Sequence, residues 1–222
     1  MADSVTEIVY LPLKEGTDLE SGDAKSAWQD TLKTIASQDG LESLFWGRQI
    51  ESKDTVQMLV KWDHIDSHTV FTKKPEYQPF LEKLGTILGG PPFLFHVKLP
   101  AGGAADANPF TAPVTECVSA YFDPSQSEEE YNTNFNNFRS EAAKIPNVEA
   151  IGLEGGWSVE THQHENLGEG VDGKLFAAFI GWPTVDSHMA FRKTEDFGKI
   201  IGHLRGGTKG IKMWHVAFTQ YK

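Results

Sequence analysis

Hydrophobic and polar positions in the first half of the chain predict four strands and two helical regions. Residues 4–13, 41–51, 54–62 and 93–99 have the alternating or largely apolar character of strands. Apolar residues recur near helical spacing over 22–38, and a second helical region follows the third strand. The predicted order of elements is therefore βαββαβ.

The second half of the chain repeats this order. Its predicted strands are 114–122, 148–160, 174–182 and 211–219, with a helix over 126–144 and a second helical region after 182. Three stretches match in the same order: VTEIVYLPL with VTECVSAYF, WDHIDSHTVF with WPTVDSHMAF, and FLFHVKL with KMWHVAF. Such collinear matches indicate a tandem duplication.

Residues 100–113 separate the two copies and are rich in Ala, Gly and Pro, which is typical of a linker. We therefore predict an N-terminal ferredoxin-like repeat over 1–99, a linker over 100–113 and a C-terminal ferredoxin-like repeat over 114–222.

The order βαββαβ is that of the ferredoxin-like split βαβ motif. Both helices of such a unit cover one face of its sheet and leave the other face bare, and a second copy can cover that face. The predicted fold class is α+β: two tandem ferredoxin-like (βαββαβ) repeats whose sheets pack into an intramolecular dimeric α+β barrel.

The two stretches with Trp, Asp-Ser-His and Phe, at residues 62–71 and 182–191, resemble a motif of the dimeric α+β barrel superfamily. The chain is most similar to its antibiotic-biosynthesis-monooxygenase-like and stress-responsive A/B-barrel branches, in a tandem fungal-type form. The resemblance implies the fold. For activity it leaves a range that includes cofactor-free monooxygenases, haem enzymes, isomerases, cyclases and proteins without a known reaction.

Charge and composition narrow the classes of partner. A net charge of −11, with no cluster of Lys and Arg, disfavours nucleic acid and anionic membrane surfaces. No apolar run approaches the roughly 18 residues needed to span a bilayer, and the N-terminal segment does not resemble a signal peptide. With a single cysteine, Cys117, an internal disulfide is excluded, and we expect a cytoplasmic protein.

Strand alternation assigns two pairs of histidines to different places. We expect Trp62 and Trp182 to lie under the second helices, with His68 and His188 one to two turns into those helices as packing residues or secondary site residues. In the last strands Phe95 and Val97, like Trp214 and Val216, are predicted to face the helices.

That assignment turns His96 and His215 towards a chamber inside the barrel, and these two are the predicted acid/base residues. Arg48 is the third predicted catalytic residue because a guanidinium stabilises a carboxylate or enolate, although an exposed strand charge is the alternative interpretation. The predicted substrate-binding residues are Trp46, Gln57, Lys61, Glu154, Trp157 and Met213.

The longer second hairpin carries His162, His164 and Glu165, which offer nitrogen and oxygen ligands. No Cys or further His follows nearby, so a loop that covers one chamber is favoured over a metal site. We expect neither a metal nor a tightly bound cofactor. The sequence also lacks G-x-S-x-G, G-x-G-x-x-G and Walker A motifs, which leaves hydrolase, Rossmann and P-loop functions without support.

Three functions remain open. The leading hypothesis is an enzyme that binds a hydrophobic small molecule, aromatic or polyketide-like, and acts by cofactor-independent acid/base chemistry: oxygenation, cyclisation, dehydration or isomerisation. The alternatives are a non-catalytic stress-responsive or ligand-binding barrel, and a haem-binding barrel. We expect one working chamber or two unequal ones, in a monomeric pseudo-dimer or a homodimer.

Overall fold

The computed structural model describes residues 4–99 and 108–222, so the part of the predicted linker at 100–107 lies outside the described residues. The chain divides into two compact units. The first combines the chain up to Leu99 with Val216–Lys222, and the second extends as far as His215. We describe each unit separately.

The first unit has the predicted order of strands and helices. Its elements are β1 (Val5–Pro12), α1 (Gly22–Ala36), β2 (Leu41–Arg48), β3 (Thr55–Trp62), α2 (Ile65–Phe71), α3 (Tyr77–Gly85) and β4 (Phe93–Val97). The predicted second helical region is thus two short helices. The strands form an antiparallel sheet in the order β4-β1-β3-β2, which is the order of a ferredoxin-like unit.

The second unit repeats this arrangement. A 3₁₀ turn (Pro109–Thr111) leads into β5 (Val114–Phe122), α4 (Glu128–Ala142), β6 (Ile151–Trp157), a 3₁₀ turn (Glu165–Leu167), β7 (Lys174–Trp182), α5 (Val185–Phe191), α6 (Glu195–Ile200), α7 (Gly202–Arg205) and β8 (Thr208–Val216). The sheet order β8-β5-β7-β6 matches that of the first unit. The predicted α+β class with two tandem repeats is confirmed, whereas the packing of the two sheets into a barrel stays a prediction.

The last residues of the chain differ from the sequence prediction. We assigned 211–219 to the closing strand of the second repeat, but that strand ends at Val216. A short strand β9 (Thr219–Gln220) then pairs with β2 and extends the first sheet to five strands. The sequence pattern could not show this pairing because two residues carry no periodicity.

Local sequence explains why the main helices form where they do. Before α4, the Ser127 hydroxyl accepts a hydrogen bond from the Glu130 backbone N–H, and three glutamates occupy the first helical turn, where the helix dipole favours negative charge. Tyr131, Phe135 and Phe138 then follow at helical spacing and are buried against the sheet. In the described part of the chain, no helix combines the length and hydropathy required to span a membrane.

Our assignment of faces is correct for the third strands and wrong for the last strands. Trp62 and Trp182 lie on the helix-covered face, as expected. In β4, however, His96 pairs with Glu7 of β1 and contacts His68 of α2, so it faces the helices, and Phe95 faces the other way. Phe95 and Val97 are 1% and 0% exposed, so this strand is buried on both faces and alternation alone could not orient it.

The same correction applies to β8, where His215 contacts His188 of α5 on the helix-covered face. The two pairs of histidines that the sequence separated are therefore in contact within each unit.

Gly181 of β7 provides a test of the packing in the second unit. A Cβ at this position would overlap the carbonyl oxygen of Ile151 and lie 2.7 Å from the Cβ of Ala112. We predict that Gly181→Ala lowers the free energy of unfolding by about 1–3 kcal/mol, because the backbone of β6 has to move. Urea denaturation of the full chain measures this.

The matched position in the first repeat is Lys61, a half-exposed residue that pairs with Glu42 at 2.8 Å. Lys61→Ala is the control, with an expected change below about 1 kcal/mol. Equal effects of the two substitutions would contradict this account of the packing.

Candidate functional site

A buried glutamate lies near the start of a central strand in each unit, beneath the helices. Glu7 of β1 and Glu116 of β5 are 6% and 8% exposed. Neighbouring residues of the same strands supply apolar side chains to the core, so each carboxyl group is surrounded mainly by hydrocarbon. A charged carboxylate in such surroundings requires partners, and the neighbouring elements provide them.

The tryptophan at the end of the neighbouring strand provides the first partner. Trp62 Nε1 donates a hydrogen bond to Glu7 Oε2 at 2.9 Å, and Trp182 Nε1 donates to Glu116 Oε2 at 3.1 Å. The motif tryptophans are thus core residues, as predicted, and each also fixes the orientation of a carboxylate.

The motif histidines provide the second partner. Helices α2 and α5 begin directly after the strands that carry the tryptophans, which places His68 and His188 in the following turn. The His68 ring stacks on Trp62 with centroids 5.4 Å apart, and His188 stacks on Trp182 at 5.0 Å. His188 Nε2 is 3.2 Å from Glu116 Oε2, whereas His68 Nε2 is 3.7 Å from Glu7 Oε1.

A second histidine extends each cluster. His68 Nδ1 lies 2.8 Å from His96 Nε2, and His188 Nδ1 lies 2.7 Å from His215 Nε2. We call the two sets the first cluster (Glu7, Trp62, His68 and His96) and the second cluster (Glu116, Trp182, His188 and His215). In each set both nitrogens of the central imidazole face a titratable group.

This geometry connects the proton positions in the second cluster. When Glu116 is ionised, His188 Nε2–H donates to the carboxylate and His188 Nδ1 accepts a hydrogen bond from His215 Nε2–H. When Glu116 is protonated, its O–H donates to His188 Nε2, and His188 Nδ1–H donates to His215. A proton that arrives at the carboxyl group can therefore shift the protons along the whole cluster.

The two clusters differ in the space beside them. A cavity of about 470 Å³ lies in the second unit, and Glu116 and His188 are among its lining residues. The corresponding cavity in the first unit, beside Glu7 and His68, has a volume of about 70 Å³. The two cavities are unequal, and the one in the second unit is within the size range of small-molecule sites. Both lie between a sheet and its helices.

The walls of the larger cavity are mainly apolar, with a few polar groups. Trp182, Phe138, Phe176 and other apolar side chains line it, together with Arg192 and the exposed Arg205. Burial raises the pKa of Glu116 to about 7, and the opposing effects of the Trp182 hydrogen bond and the Arg192 charge are smaller. The larger cavity therefore contains a carboxyl group that changes charge near neutral pH.

The other predicted site residues of the first repeat are not among the residues that line either cavity. The Arg48 guanidinium donates to the backbone carbonyls of Thr17 and Lys53, so its contacts are with nearby loops. Trp46 packs against Trp28 of α1, with ring centroids 5.0 Å apart. Gln57 and Lys61 lie on the sheet face away from the helices, as the alternation predicted, and Lys61 pairs with Glu42.

In the second repeat, one of the three predicted substrate-binding residues lines the cavity. Met213 of β8 is that residue. Trp157 donates a hydrogen bond to Asn132 at 3.0 Å and packs in the aromatic core. Glu154 pairs with Phe179 of β7, on the strand face away from the helices.

The histidines of the second hairpin have contacts of their own. His162 Nε2 is 2.7 Å from the Ser158 hydroxyl, and burial lowers the pKa of His162. His164 packs on Tyr121, with ring centroids 4.5 Å apart. In the described part of the chain, the residues that bring metal-binding atoms within 4.8 Å of one another are Glu7, His68 and His96.

The two glutamates are the site residues that the sequence-based prediction missed. Glu7 and Glu116 occupy the same place in the first matched stretch, VTE, and each interrupts an otherwise mainly apolar strand. A repeated acidic residue on a strand that is otherwise buried was the available signal, because buried carboxylates persist when they are paired.

We predict that Glu116 makes stability depend on pH. Its pKa is about 7 in the folded chain and near 4.3 in the unfolded chain, so the folded state binds the extra proton between these values. The contribution of Glu116 is therefore largest below about pH 4 and is lost as the pH rises through 7. In urea denaturation, Glu116→Gln should become more stable relative to wild type by roughly 1–3 kcal/mol between pH 5 and 8. A constant difference between the two proteins would contradict this.

A scan against protein-family models gives no match, and a search of curated proteins also gives none. Among solved structures, a proposed monooxygenase from Fusobacterium nucleatum subsp. nucleatum is 14% identical, with a TM-score of 0.65 over 100% of this chain and 98% of that chain.

Two further structures also match over nearly their whole length. An anthrone oxidase-like protein is 13% identical, with a TM-score of 0.69 over 98% of this chain and 93% of that chain. A proposed monooxygenase from Lactobacillus acidophilus NCFM is 10% identical, with a TM-score of 0.61 over 98% and 95%. The chain thus shares its fold, over nearly its whole length, with two proposed monooxygenases and an anthrone oxidase-like protein.

Proposed function

We propose that this protein is an enzyme that removes a proton from a hydrophobic small molecule bound in the cavity of the second unit. The observation that carries the proposal is the position of Glu116 and His188 on the wall of a mainly apolar cavity of about 470 Å³. The fold shared with proposed monooxygenases and an anthrone oxidase-like protein supports the same class of chemistry.

Glu116 is the general base in this proposal. A base works best when its pKa is near the working pH, and burial brings the pKa of Glu116 to about 7. Trp182 and His188 both contact Oε2, and no hydrogen bond to Oε1 is found among the described residues. Oε1 is therefore the oxygen that would accept the substrate proton.

His188 and His215 then respond to the proton that Glu116 receives. With the proton on Oε1, Glu116 loses its charge and Oε2 becomes a weaker acceptor for His188 Nε2–H, and the adjacent contact of 2.7 Å passes the change on to His215. Glu116 returns the proton to the product, and His188, which lines the cavity and contacts Glu116 Oε2, is a catalytic residue with it. His215 is not among the residues that line the cavity, and it acts through His188 as a positioning residue.

The remaining groups of the cavity suit a substrate anion. The Arg192 charge already acts on Glu116, and it would stabilise an enolate or phenolate beside that carboxyl group. Aromatic and aliphatic walls supply binding energy through burial of apolar surface.

In an oxygenation the substrate carbanion would reduce O₂ and form a C–O bond with it. In a dehydration it would expel hydroxide, which leaves as water with the proton from Glu116. In a cyclisation it would add to a carbonyl carbon of the substrate, and in an isomerisation it would be reprotonated at another carbon. This scheme uses no tightly bound cofactor, in line with the prediction from the sequence.

The non-catalytic alternative has an observation in its favour only in the first unit. There the cavity of about 70 Å³ leaves little room for a ligand, although the first cluster has the same residue types. We therefore assign the first unit a structural role in this proposal. For a cluster histidine to bind haem iron, the hydrogen bond between the two imidazoles of its cluster would have to break.

We predict that turnover depends on the second cluster and not on the first. With anthrone as the probe substrate, Glu116→Gln and His188→Gln should lower kcat/KM for oxygen consumption by about 10²–10⁴-fold, the range expected on loss of acid/base catalysis. An oxygen electrode measures the rate, corrected for the uncatalysed oxidation of anthrone.

The matched controls are Glu7→Gln and His68→Gln, which make the same chemical changes beside the smaller cavity. We expect them to retain kcat/KM within about threefold, because no substrate reaches them. The proposal is wrong if all four variants behave alike, or if wild type does not exceed the uncatalysed rate with anthrone or other enolisable aromatic probes.

We further predict that kcat/KM rises with pH, with a midpoint near 7, because Glu116 acts in its ionised form. The Arg192 charge lowers the pKa of Glu116, so Arg192→Gln should move the midpoint to higher pH. The exposed neighbour Lys193 provides the control, and Lys193→Gln should leave the midpoint in place. A midpoint that Arg192→Gln does not move would show that another group controls the rate.

A further inference from the structure

The duplication places a closed and an open version of the same site in one chain. The first and second clusters use the same residue types with closely similar contacts, yet the adjoining cavities measure about 70 and 470 Å³. Comparison of matched wall residues therefore identifies which side chains account for the difference in volume.

The sheet contributes the clearest change in side-chain size. In the first unit, Leu11 and Met58 line the cavity, and the matched residues of the second unit are Ala120 and Ala178. The match follows from register: Met58 pairs with Val9, and Ala178 pairs with Val118 at the same place in β5. Both alanines are buried, at 3% and 5% exposed, so they form the floor of the cavity.

One further position is smaller in the second unit, because Phe80 of α3 lines the first cavity and is matched by Ile200 of α6. The other positions compared do not explain the larger volume: Val9 corresponds to Val118, and Phe71, Tyr77 and Leu84 correspond to Phe191, Phe197 and Leu204, which are of similar size. On the long helices the change has the opposite sign. Helix α1 supplies Thr31 and Ile35 to its cavity, and α4 supplies the bulkier Tyr131 and Phe138.

We propose that Ala120 and Ala178 determine the size of ligand that the second unit accepts. Leucine and methionine at these positions would place their side chains in the space above β5 and β7, as Leu11 and Met58 do above β1 and β3. The inference depends on the cavity of the second unit being the ligand site of the proposed function. It adds the specificity-determining residues, which are separate from Glu116 and His188.

The ligand class that follows is a rigid aromatic molecule whose rings lie over the two alanines. A methyl side chain exposes little bulk above the sheet, so a planar ring system can approach the strands closely. A single-ring ligand held near Glu116 does not need this space. Selectivity between large and small aromatic ligands is therefore the property to measure.

The test compares two probes, 1-hydroxyanthraquinone with three fused rings and phenol with one. Dissociation constants are measured by quenching of tryptophan fluorescence, to which Trp182 at the cavity wall contributes, and by calorimetry. For Ala120→Leu/Ala178→Met we expect affinity for the three-ring probe to fall by at least about tenfold, since even one methylene in an apolar pocket changes discrimination by about 10–200-fold. Affinity for phenol should change by less than about threefold.

The control is Ala190→Leu on the exposed surface of α5, which should bind both probes as wild type does. Circular dichroism and thermal unfolding establish that each variant is folded. If the double variant does not fold, the single variants Ala120→Val and Ala178→Val provide the measurement, and each should reduce binding of the large probe more than binding of phenol. Equal changes for both probes, or no binding of the three-ring probe by wild type, would overturn the proposal.

Two results separate this inference from the proposed function. Size-selective binding without turnover of any enolisable probe would contradict the enzyme and leave the role of Ala120 and Ala178 in place. If turnover depends on Glu116 but the two substitutions do not change binding of either probe, only the assignment of Ala120 and Ala178 as size determinants is contradicted.

Discussion

A carboxylate buried beneath a helix is the constraint on which both halves of this chain depend. Glu7 and Glu116 each bring an acidic group into a core of apolar side chains. Loss of one partner from a buried charged group costs about 3–5 kcal/mol, so the elements that supply the partners must be placed accurately. The tryptophan on the third strand and the histidine on the following helix meet this requirement in both units.

This constraint gives the repeated motif a physical meaning. Trp and Asp-Ser-His stand at the junction of a strand with a helix, and the junction positions an indole N–H and an imidazole around one carboxyl group. Stacking of His188 on Trp182 holds the ring in the orientation that reaches Glu116. The motif thus maintains the fold and orients the polar cluster at the same time. A packing role and a chemical role do not exclude one another here.

The order of elements and the duplication could be predicted from the sequence because both leave periodic or collinear signals. The orientation of the last strands could not. Phe95 and His96 are both buried. We assigned the more apolar side chains of the strand to the helix-covered face, which placed Phe95 there and His96 on the opposite face. His96 and His215 were thereby separated from the two motif histidines that they contact. The acidic members were missed because a single glutamate in a strand resembles a surface position.

Strand β9 covers the edge of the first sheet at β2, and its residues are among the last of this sequence. Leu44 N–H donates to the carbonyl of Lys222 at 2.8 Å, and Tyr221 N–H donates to the carbonyl of Leu44 at 2.7 Å. These bonds occupy the outer edge of β2, which would otherwise offer free backbone groups for pairing with another chain. During synthesis, β2 is made more than half a chain length before the residues that cover its edge. The nascent first repeat therefore has an uncovered edge until translation reaches the end of this sequence, and in that interval a chaperone or a second nascent chain could pair with it.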